Sequence, residues 1–422
     1  MKRLRRFLDH IEPLFIKGGR LEHFRAIYEM IDTLLYSPAD VTRSSPHVRD
    51  AIDLKRVMIL VVLAATPCAL IGMWNTGFQA NTAMTNEGFG PLPGWHEAAV
   101  MFLGAGGHDP SSLYDNFVFG LVYFLPIYAV TLLAGGFWEV LFAGIRNHEV
   151  NEGFLVTSFL YALILPATLP LWQVALGISF GVVIGKEVFG GTGKNVFNPA
   201  LVGRAFLFFA YPAQISGDTV WTAVMSVDSI SSATVLQPAW TAAEGFTGAT
   251  PLAAGAGAGM AGITSTGLSW LQAFLGQHEG SLGSTSVIAC LFGAAVLVYA
   301  GIASWRVIVA CFLGLIIPVI VVNHMNPTDP MMAVPWYWHI VIGGFTFGAV
   351  FMATDPVTSA QTNTGRWVYG FLIGFLTFVI RVLNPAYREG IMLAILFGNA
   401  FAPLIDHFVV QANIRRRLRR NV

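Results

Sequence analysis

The chain has 422 residues, 55% of them hydrophobic and only 11% charged, with a mean hydropathy of +0.62. Soluble domains carry roughly 25% charged residues, so the composition excludes an ordinary soluble protein and points to an integral membrane protein. Its 24 basic and 24 acidic residues cancel, which excludes a nucleic-acid footprint and leaves the placement of charge as the useful signal.

In chain order, Met1-Lys-Arg-Leu-Arg-Arg6 lacks an apolar core and a small-residue cleavage site, so no signal peptide is expected. Residues 1–55 are polar, with Phe24, Ile27, Ile31, Leu34 and Leu35 at helical spacing, as in a helix lying on a membrane or a partner. Ten apolar runs follow, near 57–76, 117–137, 153–170, 171–188, 197–212, 284–304, 306–324, 337–354, 367–384 and 391–410. Each is long enough, or nearly so, for the ~20 residues that cross a hydrocarbon core. Only Thr168-Leu-Pro170 separates the third from the fourth, and the fifth is short and holds Arg204. The predicted fold is an all-α integral membrane protein of about ten transmembrane helices.

Basic residues in short loops mark the cytoplasmic side. They crowd the N-terminal segment and the tail Arg415-Arg-Arg-Leu-Arg-Arg420, and recur as Arg146, Lys186, Lys194, Arg306 and Arg366. Between Arg204 and Arg306 there are none, so the 213–283 loop lies outside; only Arg388 breaks the alternation. Both termini are then cytoplasmic, with a first membrane half over 56–212, a periplasmic loop over 213–283, a second half over 284–411 and a basic tail over 412–422. Asn198-Pro-Ala and Asn384-Pro-Ala hint that the halves are inverted five-span repeats.

Within the outside loop, Glu244-Gly-Phe-Thr-Gly-Ala-Thr250 sets a threonine hydroxyl among small neighbours with a carboxylate close by. This pattern suits a transferase that attaches flavin through phosphate on an exposed loop; it is also ordinary loop composition. Asp228-Ser-Ile-Ser-Ser-Ala-Thr234 is a second copy without the glycines, so Thr250 is the favoured acceptor and Thr234 the runner-up. Val188-Phe-Gly-Gly-Thr-Gly-Lys194 fails as a phosphate loop, because no Ser or Thr follows the lysine. Charges inside spans are costly and default to ion, proton or cofactor roles; Glu139 and Asp406 are the deepest acids, and Arg204 calls for a buried acid or polar ligand. Residues near span ends, Lys186, Glu187 and Asp355 among them, are also explained by snorkelling. The three cysteines sit in apolar runs at spacings that make no metal motif.

The chain closely resembles the B subunits of bacterial Na+-translocating NADH:quinone oxidoreductases, of the NqrB/RnfD family, over almost its whole length. The resemblance rests on Ser45-Pro-His-Val-Arg-Asp50, Gly135-Gly-Phe-Trp-Glu-Val-Leu-Phe142, His148-Glu-Val-Asn-Glu-Gly-Phe154 and Lys186-Glu-Val-Phe-Gly-Gly-Thr-Gly193. It continues through Asn198-Pro-Ala, the run from Gly203 to Asp218, Met352-Ala-Thr-Asp-Pro356 and Asn384-Pro-Ala-Tyr387. The resemblance implies FMN held as a phosphodiester on Thr250, and a non-covalent riboflavin among the spans, with Asn195, Asn198 and Arg204 as candidate contacts. It also implies quinone reduction near Gly135 and Gly136, and a sodium path through Glu139, Asp355 and Asp406. Expected partners are the other subunits of a six-subunit complex, ubiquinone, Na+, inner-membrane lipid and a flavin transferase. Glu244 departs from the family's aspartate at that motif position, which leaves Thr250 against Thr234 open. A related ferredoxin:NAD complex subunit and a cofactor-free secondary transporter are the alternatives; the latter leaves the 244–252 motif without a purpose.

Overall fold

The structure is a computed structural model that describes residues 2–15, 28, 54–146, 153–215, 221–225, 249–265, 267–325, 327–384 and 389–420. The helix expected over 24–35 and the Thr234 motif lie outside the described residues. A short helix α1 (Lys2–Ile11) precedes the membrane region. Among the described residues, six helices are long and apolar enough to cross a membrane. They are α2 (Leu54–Glu87), α4 (Leu113–Arg146), α6 (Leu171–Gly185, continuing to Phe189), α12 (Trp305–His324), α15 (Asn363–Phe378, with a π-helical extension Val379–Leu383) and α16 (Ile391–Leu418). Between α2 and α4 come strand β1 (Gly90–Pro91) and α3 (Trp95–Phe102).

The other four predicted runs are helical only in part. Helix α5 (Gly153–Leu163) has 11 residues, α7 (Pro199–Ala210) has 12 and α11 (Val287–Tyr299) has 13. At 1.5 Å per residue these reach about 16–20 Å, well short of a hydrocarbon core of about 30 Å. The eighth run is broken into α13 (Trp336–Val341) and α14 (Phe345–Phe347), the latter passing into π-helical Gly348–Met352. Apolar composition alone therefore overstates helix length in these four runs.

Irregular backbone at membrane depth survives only where protein satisfies its polar groups, and here it does. Past α5 the chain runs through Pro166 and Pro170, and Leu163 and Leu165 accept hydrogen bonds from Gly283 N (2.8 Å) and Leu282 N (3.0 Å). The break after α13 turns on Gly343 and Gly344, at φ +71° and +64°. The fully buried Arg381, presented by the π-helical end of α15, donates to His339 O (2.8 Å), Gly343 O (3.2 Å) and Glu389 O (3.1 Å). One buried guanidinium thus closes off the end of a half-helix.

Helix α2 packs on α4 and α11, α4 on α6, and α6 on α7; α12 packs on α15, α15 on α16, and α7 meets α16. The α12–α15 pair is held backbone to backbone: a Cβ on Gly374 would lie 2.1 Å from Cys311 O, and one on Gly314 would lie 2.3 Å from Phe371 O. Small residues at such crossings are the usual means of close approach between membrane helices. After α7 comes the short α8 (Pro212–Ile215), then β2 (Val224–Met225), which pairs antiparallel with β1 and is the only departure from an all-α fold among the described residues. The described end of the 213–283 loop is no plain loop. It forms α9 (Pro251–Thr264) and α10 (Trp270–Leu275), whose Leu252, Ile263 and Ala273 pack with Met331, Val334 and Trp338 in a separate apolar cluster.

Candidate functional site

Two cavities flank the discontinuous helices. The first is lined by Lys186, Thr192, Asn195, Asn198, Phe351 and Asp355, with the N-terminal turns of α2 and α5. The second is lined by Arg204, Thr250, His278, Thr285, Gly343 and Glu389. Only about a turn of chain separates them: Leu160 faces the first and Ile164 the second, and likewise Asn198 and Leu201, and Phe351 and Met352.

Asn198 sits in the first cavity as the N-cap of α7. Its Oδ1 accepts from Ala200 N (3.1 Å) and Leu201 N (3.4 Å), and Pro199 occupies the first helical position, where no N–H is needed. Its backbone N–H meets the Asn399 side chain of α16 at 3.2 Å once that amide is turned so that its nitrogen donates to Tyr369. That orientation satisfies both amide atoms. Asn195 donates to Phe197 O (3.0 Å), and the loop before it turns on Gly190, Gly191 and Gly193, all at positive φ. Thr192 Oγ1 is buried without a hydrogen-bond partner in this wall. Asp355 accepts from Val357 N (3.1 Å) and Thr358 Oγ1 (3.0 Å) and closes the far side.

Thr250, expected on an exposed loop, is instead buried, 8% exposed, in the second cavity. The reason is local. Thr250 is the N-cap of α9, its Oγ1 accepting from Ala253 N (3.3 Å), with Pro251 starting the helix. Arg204 lines this cavity rather than the one holding Asn195 and Asn198, so the three candidate riboflavin contacts are not brought together. As its burial requires, Arg204 pairs with an acid, Glu389. Thr285 Oγ1 is buried without a hydrogen-bond partner here. His278, outside the spans, has Nδ1 2.9 Å from Glu279 O; burial pushes its pKa below the ordinary histidine value, against backbone hydrogen bonds that raise it.

The candidate ion-path acids occupy three different settings. Glu139 is buried in an ion pair with Lys186, whose ammonium also lies 3.9 Å from Glu187; Arg146 in turn holds Glu187 at 3.0 Å. Asp355 lines the first cavity. Asp406 faces neither: from α16 it accepts Gln361 N (2.6 Å), Thr362 N (3.0 Å) and Thr362 Oγ1 (2.5 Å), holding in place Thr362, which caps α15 by accepting from Gly365 N (3.0 Å). Gly135 and Gly136 also differ. A Cβ on Gly135 would lie 2.4 Å from the Phe154 ring, whereas one on Gly136 would lie 3.8 Å from it. Gly135 thus lets α4 sit directly on α5, whose Gly153 lines the first cavity. Sequence reasoning named Lys186 only as a charge near a span end; its tie to Glu139 and the pairing of Glu389 with Arg204 carried no sequence signal.

Comparison with known proteins agrees with this architecture. Residues 41–415 match the family described as "NQR2, RnfD, RnfE family". The chain is 57% identical over 422 residues to the B subunit of the Na(+)-translocating NADH-quinone reductase of Azotobacter vinelandii, covering 99% of this chain and 100% of that protein. It is 58% identical over 419 residues to the B subunit of the same reductase from Chromohalobacter salexigens, covering 99% and 97%. The corresponding Pseudomonas aeruginosa protein is 55% identical over 421 residues, covering 99% of each chain. With six helices among the described residues long and apolar enough to cross a membrane, discontinuous helices between them and full-length relatives of one kind, this chain is a multi-pass membrane protein that belongs to the NQR2, RnfD, RnfE family.

Proposed function

We propose that the chain is the flavin-carrying membrane subunit of a respiratory NADH:ubiquinone oxidoreductase in the bacterial inner membrane. The function assigned is passage of electrons from FMN on Thr250 to riboflavin and on to ubiquinone, coupled to Na+ export. The observation that carries the reading is the pair of cavities set back to back, one holding the acceptor threonine and the other the asparagines assigned to riboflavin. When bound, flavins supply the electron chemistry, and the protein supplies position and electrostatics.

The residues present suit both groups. At Thr250, the N-terminal end of α9, helical from Pro251 up to a kink at Gly259, and the Arg204 guanidinium both favour a phosphodiester. In the first cavity, unpartnered Thr192 Oγ1 and Asn195 offer hydrogen bonds to a polar ring edge, while Phe351 and Leu160 offer apolar contact. The Gly135–Gly136 pair backs onto the same wall through Phe154, and in this reading quinone is reduced beside that cavity. Ten spans, both termini cytoplasmic and two inverted five-span halves complete the proposal. The helix pairings support it: α4–α6 and α6–α7 in one half correspond to α12–α15 and α15–α16 in the other, with α2–α11 and α7–α16 joining the halves.

Peptide mass spectrometry on chain co-expressed with its flavin transferase tests the reading. An FMN-sized adduct on the 244–252 peptide, lost in Thr250→Ala and kept in Thr234→Ala, is expected. Loss only in Thr234→Ala moves the cofactor to the upstream copy. No adduct in any sample removes the electron-carrier reading.

A further inference from the structure

Helix α16 is longer than the membrane is thick. Its 28 residues reach about 42 Å, against a hydrocarbon core of about 30 Å. The first turn is buried, with Ile391 and Met392 on the second cavity. The surplus of about eight residues therefore falls at the other end. There the helix carries Arg415, Arg416 and Arg417, and Arg419 and Arg420 follow it directly. Every residue from 412 to 420 is exposed, and no Asp or Glu follows Asp406 in the chain. Among the described residues, none of the five guanidinium groups pairs with a carboxylate.

This end of the helix also has an apolar side. At 3.6 residues per turn, Val410, Ile414 and Leu418 stack on one stripe, and the five arginines fan around the rest of the circumference. The three apolar side chains are 45%, 44% and 62% exposed, on the least buried of the six long helices. A helix end of this form rests its apolar stripe on acyl chains while its cations reach headgroup phosphates. Positive charge alone suffices to orient a span, and lysine serves that purpose as well as arginine. All five here are arginines, whose planar fork takes two phosphate oxygens at once.

We propose that the C-terminal end of α16 is a docking surface for anionic phospholipid, its five arginines binding headgroup phosphates while Val410, Ile414 and Leu418 rest on the acyl chains. The inference needs only the membrane-spanning fold and stands apart from the flavin assignments. A zwitterionic lipid offers the same phosphate with a cation attached, so net charge decides between the two lipids. Each basic side chain near an anionic surface strengthens attachment about fivefold, and five sharing one patch do not add in full.

The test is photo-crosslinking in the intact complex, reconstituted into phosphatidylcholine vesicles that contain a trace of lipid with a photoactivatable acyl chain. The probe is phosphatidylglycerol in one sample and phosphatidylcholine in the other, at equal mole fraction. Mass spectrometry then reads lipid adducts on the C-terminal peptide. Phosphatidylglycerol should label it more than about fivefold over phosphatidylcholine. The preference should disappear when all five arginines become glutamine, persist when all five become lysine, and be intermediate in Arg415→Gln/Arg416→Gln. That milder pair keeps three arginines, so it decides the matter even where the fivefold variant fails to insert. Equal labelling by both lipids in wild type overturns the proposal, as does a preference that the glutamine variants retain. A preference abolished by inorganic phosphate, but not by chloride at equal ionic strength, makes free phosphate the ligand and overturns it too. A C-terminal peptide that takes no lipid and crosslinks to a neighbouring subunit assigns the surface to that subunit instead.

Discussion

Asp406 separates two accounts of an acid inside a span, an ion ligand and a brace for a helix cap. Its carboxylate accepts two backbone N–H groups and one hydroxyl at the start of α15, with distances of 2.6, 3.0 and 2.5 Å. Gly365 is shaped around it, since a Cβ there would lie 2.5 Å from Asp406 Oδ1. Hydrogen bonds to charged groups are each worth about 1.5–3 kcal/mol. Three on one partly exposed carboxylate do not add in full, so Asp406→Ala should cost about 3 kcal/mol in total. Asp406→Asn keeps one accepting oxygen and should lose about half of that. Cys68, Cys290 and Cys311 are all buried thiols, so a thiol-reactive dye reports unfolding in detergent directly. A lowered midpoint in the order wild type, Asn, Ala, with sodium dependence of turnover retained in the folded fraction, is expected. An Asp406→Ala protein that melts with wild type but loses its sodium dependence refutes the capping argument and returns this residue to the ion path.

Three further outcomes follow from the geometry. Gly135→Ala should destabilise the α4–α5 contact and be relieved by a companion Phe154→Ala, while Gly136→Ala should be nearly neutral; melting temperatures of the four proteins decide it. Asn198→Ala removes the α7 cap and should cost about 1 kcal/mol, together with part of the riboflavin content read by extraction. His278 has its pKa lowered by burial, so the unfolded chain binds the extra proton. Stability should therefore fall as pH drops below the ordinary histidine value of about 6.5, and a pH series of melting curves should show that component missing in His278→Gln.

The ten apolar runs are legible because burial in lipid imposes a simple compositional rule, and every one of them carries helix. What the rule does not see is where a helix stops inside the membrane. The runs at 153–170 and 337–354 read as continuous, yet each is divided at mid-course by local chemistry: Pro166 and Pro170 in one, and Gly343 and Gly344 in the other. The groups that make those breaks tolerable come from far along the chain, Leu282 and Gly283 for the first and Arg381 for the second. Partnerships of this kind are set by tertiary packing, and no local window contains them. The same limit explains the sites. Thr250 stands out in the sequence because its motif is local, whereas Asn195 and Asn198 are singled out only through the family resemblance. Arg204 groups with the asparagines by nearness in sequence, but it lies almost two turns into α7 and so opens onto the other cavity.

That division of the two cavities has a functional consequence of its own. In the proposed reading a pore linking them would join the two sides of the membrane and dissipate an ion gradient, whereas electrons need only short separation through packed side chains. The wall here is a turn or so of three elements, α5, α7 and the π-helical Gly348–Met352, and its side chains, Leu160, Ile164, Leu201, Phe351 and Met352, are apolar. The charged groups stand on either side of it, Lys186 and Asp355 on one and Arg204 and Glu389 on the other. In the proposed reading this apolar wall keeps the two flavins close while offering no charged group to a crossing ion.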